Sequence, residues 1–302
     1  MENIISFVIL SYNRPQETIE AVENIADFID HPSGVIIEII IVNNNSVVDY
    51  STLEDYINSI DNSISIKYIK NDSNLGVAGG RNQGMDMAKG SIVFSLDDDA
   101  EWREKDLISR TQNLFERYRT ENVGILTFKV VEQSDGSIDI ASKDKSVWNK
   151  DEFFTTYFKG GAHAILKNVF TELNGYDLAS QYGAEEYDLS YKVLDHGYTI
   201  VHTSDVSILH KRASAGRNTS LKHKYFLMKN KTLLAYKYLP KKYYFSHLIL
   251  WSGFFLKNTR FSIPELIRCL RDIIKEKKSI KRSPISPRTV NYIKSIRGRL
   301  TH

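Results

Sequence analysis

Apolar residues are bunched rather than spread along the first hundred positions. Residues 4–12, IISFVILSY, form a near-continuous apolar run rich in β-branched side chains. That pattern predicts a strand buried on both faces. A helical spacing follows: Pro15 opens it, and Ile19, Val22 and Ile25-Ala26 share one face up to Phe28,. The rhythm then repeats. VIIEIIIV at 35–42 predicts a second strand, and Leu53, Tyr56-Ile57 and Ile60 mark a second helix. ISIKYI at 64–69 predicts a third strand, Gly79 to Lys89 a third helix, and SIVFSL at 91–96 a fourth strand. Such alternation predicts an α/β fold with a parallel sheet and helices on its faces. Ligands of such sheets bind beyond the carboxyl ends of the strands. Three polar clusters fall there: Ser11-Tyr12-Asn13-Arg14, Asn43-Asn44-Asn45-Ser46 and Asp97-Asp98-Asp99.

The later part is more mixed. Residues 122–131 and 161–167 read as strands, and 184–197 as a helix ending at Gly197. Residues 198–210 read as two short strands around a turn, and 221–239 and 262–278 as helices. SPISP at 283–287 reads as a break before the tail. No repeat or low-complexity tract is present. YYFSHLILWSGFFL at 243–256 is apolar, yet its 14 residues are too few to span a bilayer,. It suits a helix lying against the body of the protein, a contact between copies in a homo-oligomer, or a membrane interface.

Composition narrows the classes. With 302 residues, 42% hydrophobic and 25% charged, the chain can bury a sizeable core,. The single Cys269 excludes an internal disulfide and suits a reducing cytoplasm,. Met1-Glu2-Asn3 is not a basic signal-peptide start, so no signal peptide is expected,. A net charge of +3 conceals an asymmetry. From Lys257 to His302 there are 13 basic and 3 acidic residues, a net of +10, which leaves 27 basic and 34 acidic residues elsewhere, a net of −7. A basic tail on an acidic body suits an anionic partner such as lipid headgroups, or else forms a solvated helical face. Its few aromatics, Phe261 and Tyr292, and the lack of a motif speak against nucleic acid,.

The candidate chemistry centres on SLDDDAEW at 95–102. Adjacent carboxylates repel and lose solvation when buried, so a cation or open water must accompany them. Asp97 and Asp99 flank one residue and can converge beyond a strand end, as hard oxygen donors suited to Mg²⁺ or Mn²⁺. In NLGVAGGRNQG at 74–84, glycines 76, 79, 80 and 84 precede or open a helix. A helix N-terminus favours anions, and Arg81 adds a forked cation. The stretch matches neither the Walker nor the dinucleotide fingerprint. Glu185, Glu186 and Asp188 in GAEEYDLSYKV suit either a helix dipole or a general base, and spacing leaves both open,. His210 stands at a strand end, as a structural residue or a ligand.

From about Ile4 to Pro240 the chain resembles the bacterial family 2 glycosyltransferases of the GT-A fold. The resemblance lies in the order of VILSYNRPQETIEAVENI, IIIVNNNS, NLGVAGGRNQGMDMAKGSIVFSLDDDAEW, GGAHAILKNVFTELNGYD, GAEEYDLSYKVLDHGY and KNKTLLAYKYLP. It is similar in particular to the rhamnosyl- or galactosyltransferase-like type that acts in surface polysaccharide synthesis. The resemblance implies a Rossmann-like mixed sheet flanked by helices. A catalytic domain would span residues 1–215, its nucleotide-binding half about 1–100 and its acceptor half about 101–215, followed by a helical basic extension at 216–302. It implies that Ser11, Tyr12, Asn13 and Arg14 line the nucleoside. Asn43 replaces the usual base-binding aspartate with a group that can both accept and donate, and Asn45 lies beside it. Gly79 and Arg81 border the nucleotide, Asp98 faces the ribose or the donor sugar, and Gly161 borders donor and acceptor. Asp97 and Asp99 match the Asp-x-Asp that holds Mn²⁺ or Mg²⁺ on the diphosphate, with His210 completing the site. Glu186 takes the place of the catalytic base, with Glu185 beside it.

The implied reaction is metal-dependent inverting transfer of a sugar from a nucleotide-diphosphate sugar to a hydroxyl of a glycan or lipid-linked saccharide. The implied location is cytoplasmic, at the inner face of the cell membrane. Two other classes share some features. A sugar-nucleotide nucleotidyltransferase also uses paired aspartates in an α/β sheet, but needs a glycine-rich signature with a lysine near the first strand, which SYNRPQE lacks. A non-catalytic sugar-nucleotide or glycan-binding protein has no need of Asp97, Asp99 and Glu186 together.

Overall fold

A computed structural model describes residues 3–60, 64–178, 183–211 and 221–301. The chain opens with β1 (Asn3–Ser11), α1 (Pro15–Glu23), β2 (Val35–Asn43), α2 (Ser51–Ser59) and β3 (Ser65–Lys70). It continues through α3 (Gly76–Met87), β4 (Ile92–Asp97), β5 (Ala100–Trp102), α4 (Leu107–Arg117), β6 (Val123–Glu132) and β7 (Ile138–Asp139). Next come β8 (Glu152–Thr155), β9 (Ala162–Leu166), α5 (Lys167–Glu172), α6 (Glu185–Asp195) and β10 (Thr199–His210). Four helices end the described chain: α7 (Leu221–Tyr238), α8 (Lys241–Asn258), α9 (Ile263–Glu276) and α10 (Pro287–Ser295).

One sheet runs β3-β2-β1-β4-β9-β6-β10-β5, with β7 on β6 and β8 on β10. β3, β2, β1 and β4 are mutually parallel, as the alternating pattern predicts. The sheet becomes mixed at β9, which runs antiparallel to both β4 and β6. The inner strands carry apolar side chains on both faces because helices cover both faces. Ile5, Phe7 and Ile9 of β1 enter one core with Phe94, Trp102 and Phe128. Val8 enters the other, with Met85, Phe170 and Leu189.

Several elements differ from the expectation. In place of two strands around a turn at 198–210, residues 199–210 form one strand with a register break between Thr203 and Ser207. The irregularity lets β10 pair with β8 along its first part and β5 along its last part. The helix expected at 15–28 is α-helical only to Glu23 and closes with a π-helical turn, Asn24–Phe28. α3 starts at Gly76, whose φ of 71° favours glycine,. The 215/216 boundary lies outside the described residues. The C-terminal helices share cores with the rest of the chain: Leu234, Tyr238, Val290 and Ile293 pack with Leu189 and Val193 of α6. A separate cluster of Met228, Trp251, Phe255, Cys269 and Ile273 joins α7, α8 and α9.

Candidate active site

Register brings the polar clusters together. Ser11 pairs with Asn43 and Leu10 with Asp97, so β1, β2 and β4 end at one level. The loops beyond them are tied to each other. Asn13 takes φ 59°, its N–H donates to Ser46 Oγ at 2.8 Å, and its Oδ1 accepts from the Val47 N–H at 2.8 Å. Asn45 takes φ 62°; asparagine tolerates this left-handed region better than most residues. Ser11 is buried, its Oγ bonded to Thr18 Oγ1 at 2.6 Å and Tyr50 Oη at 2.7 Å. Asn43 is buried too: its amide donates to Tyr68 Oη at 2.8 Å and accepts from the Ser46 N–H at 2.9 Å. Ser11 and Asn43 thus hold the loops, while the half-exposed ring of Tyr12 stands at the surface.

The cations that the acidic triplet requires come from three other places. Arg14 Nη1 lies 2.7 Å from Asp98 Oδ1 and 3.1 Å from Asp99 Oδ2. The Tyr12 N–H donates to Asp98 Oδ2 at 3.1 Å. Asp98 is therefore turned into the protein rather than left open: burial pushes its pKa up to about 7, Arg14 opposes, and the Asp99 charge adds to the rise. Arg81, on α3, donates from Nη2 to Asp97 Oδ1 at 2.8 Å and from Nη1 to Glu186 Oε1 at 3.2 Å. His210 Nε2 lies 3.3 Å from Asp99 Oδ1, and its Nδ1 lies 3.2 Å from Glu132 Oε2. The bond to Asp99 raises the His210 pKa, against burial.

Asp97, Asp99 and His210 can each present one ligand atom, all within 4.8 Å of one another. Two carboxylates and an imidazole make a donor set that suits Mn²⁺, and Mg²⁺ through the oxygens. Asp97 is the open member, its side chain 41% exposed against 3% for Asp99.

The floor is set by two glycines. A Cβ on Gly161 would stand 2.2 Å from Asp97 Cγ, and one on Gly160 would stand 2.2 Å from both Arg81 Nη1 and Glu186 Oε1. Only glycine lets this segment approach both charged groups. Gly79 has a packing role, since a Cβ there would meet Leu75 Cβ at 2.7 Å. Glu185 is buried, and its Oε2 accepts from the Ala184 N–H at 2.8 Å, so its carboxylate turns back onto the backbone just ahead of its own helix. Asp188 is buried between Lys192 at 3.1 Å and Lys237 at 2.8 Å and joins α6 to α7. Glu186 instead faces Arg81 with its side chain 20% exposed. Burial first, and the Glu185 charge second, raise its pKa above the ordinary carboxylate range, while Arg81 opposes.

Glu132 and Lys211 escaped the sequence reading, which held Asn44 only as a member of the polar cluster at 43–46. Glu132 pairs with His210 through the β6–β10 register, which spacing along the chain does not reveal. Asn44 ties β2 to α3 by donating to the Gly76 carbonyl at 3.1 Å and accepting from the Leu75 N–H at 2.9 Å. The Lys211 N–H donates to the Asp99 carbonyl at 2.8 Å. Four consecutive polar residues at a strand end are a signal for Asn44; Glu132 has none.

The profile of a family described as Glycosyl transferase family 2 matches residues 6–173. An uncharacterized protein of Haemophilus influenzae (strain ATCC 51907 / DSM 11121 / KW20 / Rd) is 29% identical over 176 residues, 57% of this chain and 91% of that protein. Three solved structures are similar in fold. S. aureus TarS 1–349 in complex with UDP-GlcNAc has a TM-score of 0.64 at 14% identity, covering 94% of this chain and 82% of that one. GalNAc-T7 with UDP, GalNAc and Mn²⁺ gives 0.62 at 20%, covering 80% of this chain. This chain spans about half of GalNAc-T7, 49% of its length. Mannosyltransferase PcManGT from Pyrobaculum calidifontis, with GDP-Man and Mn²⁺, gives 0.59 at 16%, covering 96% and 78%. The shared architecture is the GT-A sheet with flanking helices.

Proposed function

This chain belongs to glycosyltransferase family 2, and from that premise we propose that it is an inverting hexosyl- or deoxyhexosyltransferase. Its donor is a nucleotide-diphosphate sugar, and its acceptor a hydroxyl of a glycan or lipid-linked saccharide of the cell envelope. The observation that carries this reading is the convergence of Arg81, Asp97 and Glu186 on Gly160 and Gly161. Asp97, Asp99 and His210 would hold Mn²⁺ or Mg²⁺, which when bound supplies positive charge for the leaving diphosphate,.

The remaining chemistry belongs to the chain. Arg81 places a fixed positive charge beside Asp97, where the leaving group's charge develops. Its guanidinium is buried, so it keeps its orientation without help from substrate. Glu186 Oε accepts the proton of the attacking hydroxyl; its raised pKa brings it closer to the pH at which general bases are effective,. Glu185, committed to the Ala184 N–H, is less suited. Tyr12, Asn13 and Asn45 form the rim against which the nucleoside would lie. A panel of nucleotide sugars with Mn²⁺, scored for hydrolysis and for thermal shift, tests the reading. A protein that ignores every donor with and without metal is not this enzyme.

A place at the membrane surface fits the same reading. Phe245, Ile249 and Phe254 of α8 and Ile263, Ile267 and Ile274 of α9 are exposed. Arg268, Arg271 and Lys275 are exposed on α9 among them. Apolar side chains among cations match an anionic lipid interface. Among the described residues no helix is long and apolar enough to cross a membrane.

A further inference from the structure

A cavity of about 380 Å³ lies between α6, α7, α8 and the residues after α10. Gly183 and Tyr187, which flank Glu186 in the chain, line it, and Lys231 of α7 lines it as well, while the Glu186 carboxylate itself turns toward Arg81. Lys231 is near enough to Glu186 for each to feel the other's charge. We propose that this cavity takes the acceptor and that the acceptor carries a negative charge, a carboxylate or a phosphate, near the hydroxyl that reacts. The word acceptor rests on the transferase reading above; the charge preference rests on the cavity itself.

Three observations carry it. First, the lining contains Lys143, Lys231, Arg297 and Arg299 and, among the described residues, no aspartate or glutamate. Lys143 and Lys231 come from the net-acidic body and Arg297 and Arg299 from the basic tail, Arg297 also facing Asp144 at 3.8 Å, and together they give the cavity a positive potential,. Second, Tyr157 and Tyr187 stack with ring centroids 5.0 Å apart and planes 15° apart, giving the cavity a rigid aromatic wall,. Tyr157 is 7% exposed, yet its hydroxyl has no hydrogen-bond partner among the described residues. A buried hydroxyl without a partner is costly, and a ligand oxygen would satisfy it. Third, the Lys231 ammonium lies over the Tyr187 ring, with no ion-pair partner among the described residues. Its burial lowers its pKa, so an incoming anion would restore the charge that desolvation opposes,.

The test measures binding by calorimetry on the full chain with three probes: methyl β-glucuronide, glucose 1-phosphate and neutral methyl β-glucoside. At least one charged probe should bind about tenfold tighter than the glucoside, the difference expected of one charge-assisted hydrogen bond, and should weaken with added salt. Preference for the glucuronide alone identifies a carboxylate, and preference for the phosphate alone identifies a phosphate. The paired change Lys143→Gln and Lys231→Gln should abolish the preference, and Lys231→Arg should retain it. Equal affinity for all three probes overturns the proposal, as does a paired variant with unchanged melting temperature that keeps the preference. Should that variant fail to fold, the wild-type comparison and its salt series still decide. A parallel titration with nucleotide sugars separates the two readings. Donor binding without charge preference removes only this inference; charge preference without donor binding removes only the transferase.

Discussion

Glu186→Gln keeps the shape of the site and removes its proton acceptor. Turnover should fall by about 10²- to 10⁴-fold, the usual contribution of a general base, while donor affinity measured by calorimetry stays close to wild type. If the Gln variant transfers sugar normally, the base lies elsewhere. A base works only when deprotonated, and burial with the Glu185 charge raises the Glu186 pKa. Activity should therefore rise with pH through a range above that of ordinary carboxylates, and the Gln variant should lack that limb. Asp99→Ala removes one candidate ligand atom and one partner of both Arg14 and His210. It should abolish Mn²⁺-dependent nucleotide binding, read by titrating nucleoside diphosphate with and without chelator. At this scale the sequence was informative: acid type, spacing and strand-end position all pointed to Asp97 and Asp99. It was silent on why Asp98 is buried, because Arg14 reaches it from 84 positions away.

At the scale of elements, β1 to β4 were legible because continuous apolar runs separated by helical spacing fit few arrangements other than a covered parallel sheet. The loss came in the mixed half. β5, β8 and α5 were not anticipated, since strands of three or four residues and a helix of six bury too little to leave a periodic mark. β2 carries a charge that its apolar run hides. Glu38 is buried, accepting from Ser6 Oγ at 2.6 Å, from the Lys89 N–H at 2.8 Å and from Lys67 Nζ at 2.5 Å. Burial raises its pKa, but these bonds outweigh it and the net shift is downward. A carboxylate with a lowered folded pKa contributes stability above its unfolded value and loses it as pH falls through the folded one. Glu38→Gln should therefore cost about 2 kcal/mol at neutral pH, from charge-assisted bonds lost. It should also flatten the loss of stability below the ordinary glutamate pKa, read from urea melts across pH. Gly161→Ala tests the floor. With its Cβ 2.2 Å from Asp97 Cγ, the segment or the carboxylate must move, and kcat should fall at least about tenfold, as sub-ångström misplacement does.

For the whole molecule, the charge asymmetry was visible in composition alone, but its placement was not. α8 buries Tyr244, Trp251 and Phe255 and exposes Phe245, Ile249 and Phe254, so its all-round apolarity serves two different surfaces. Ile249→Asp together with Phe245→Asp should greatly reduce cosedimentation with anionic vesicles while leaving the melting temperature nearly unchanged, because both side chains are exposed. No binding of the wild-type chain to such vesicles at low salt would remove the membrane assignment; dimer formation through this face would replace it.

The sequence by itself determined the parallel βαβ half and the acid cluster at its strand ends, because apolar periodicity and the fixed outlet of parallel strands act locally along the chain. Only the tertiary structure decided which cation meets which carboxylate. Arg14, Arg81, Glu132, Glu186 and His210 come from five separate elements or loops, and ion pairs form by proximity in space, which side-chain spacing along a chain does not encode.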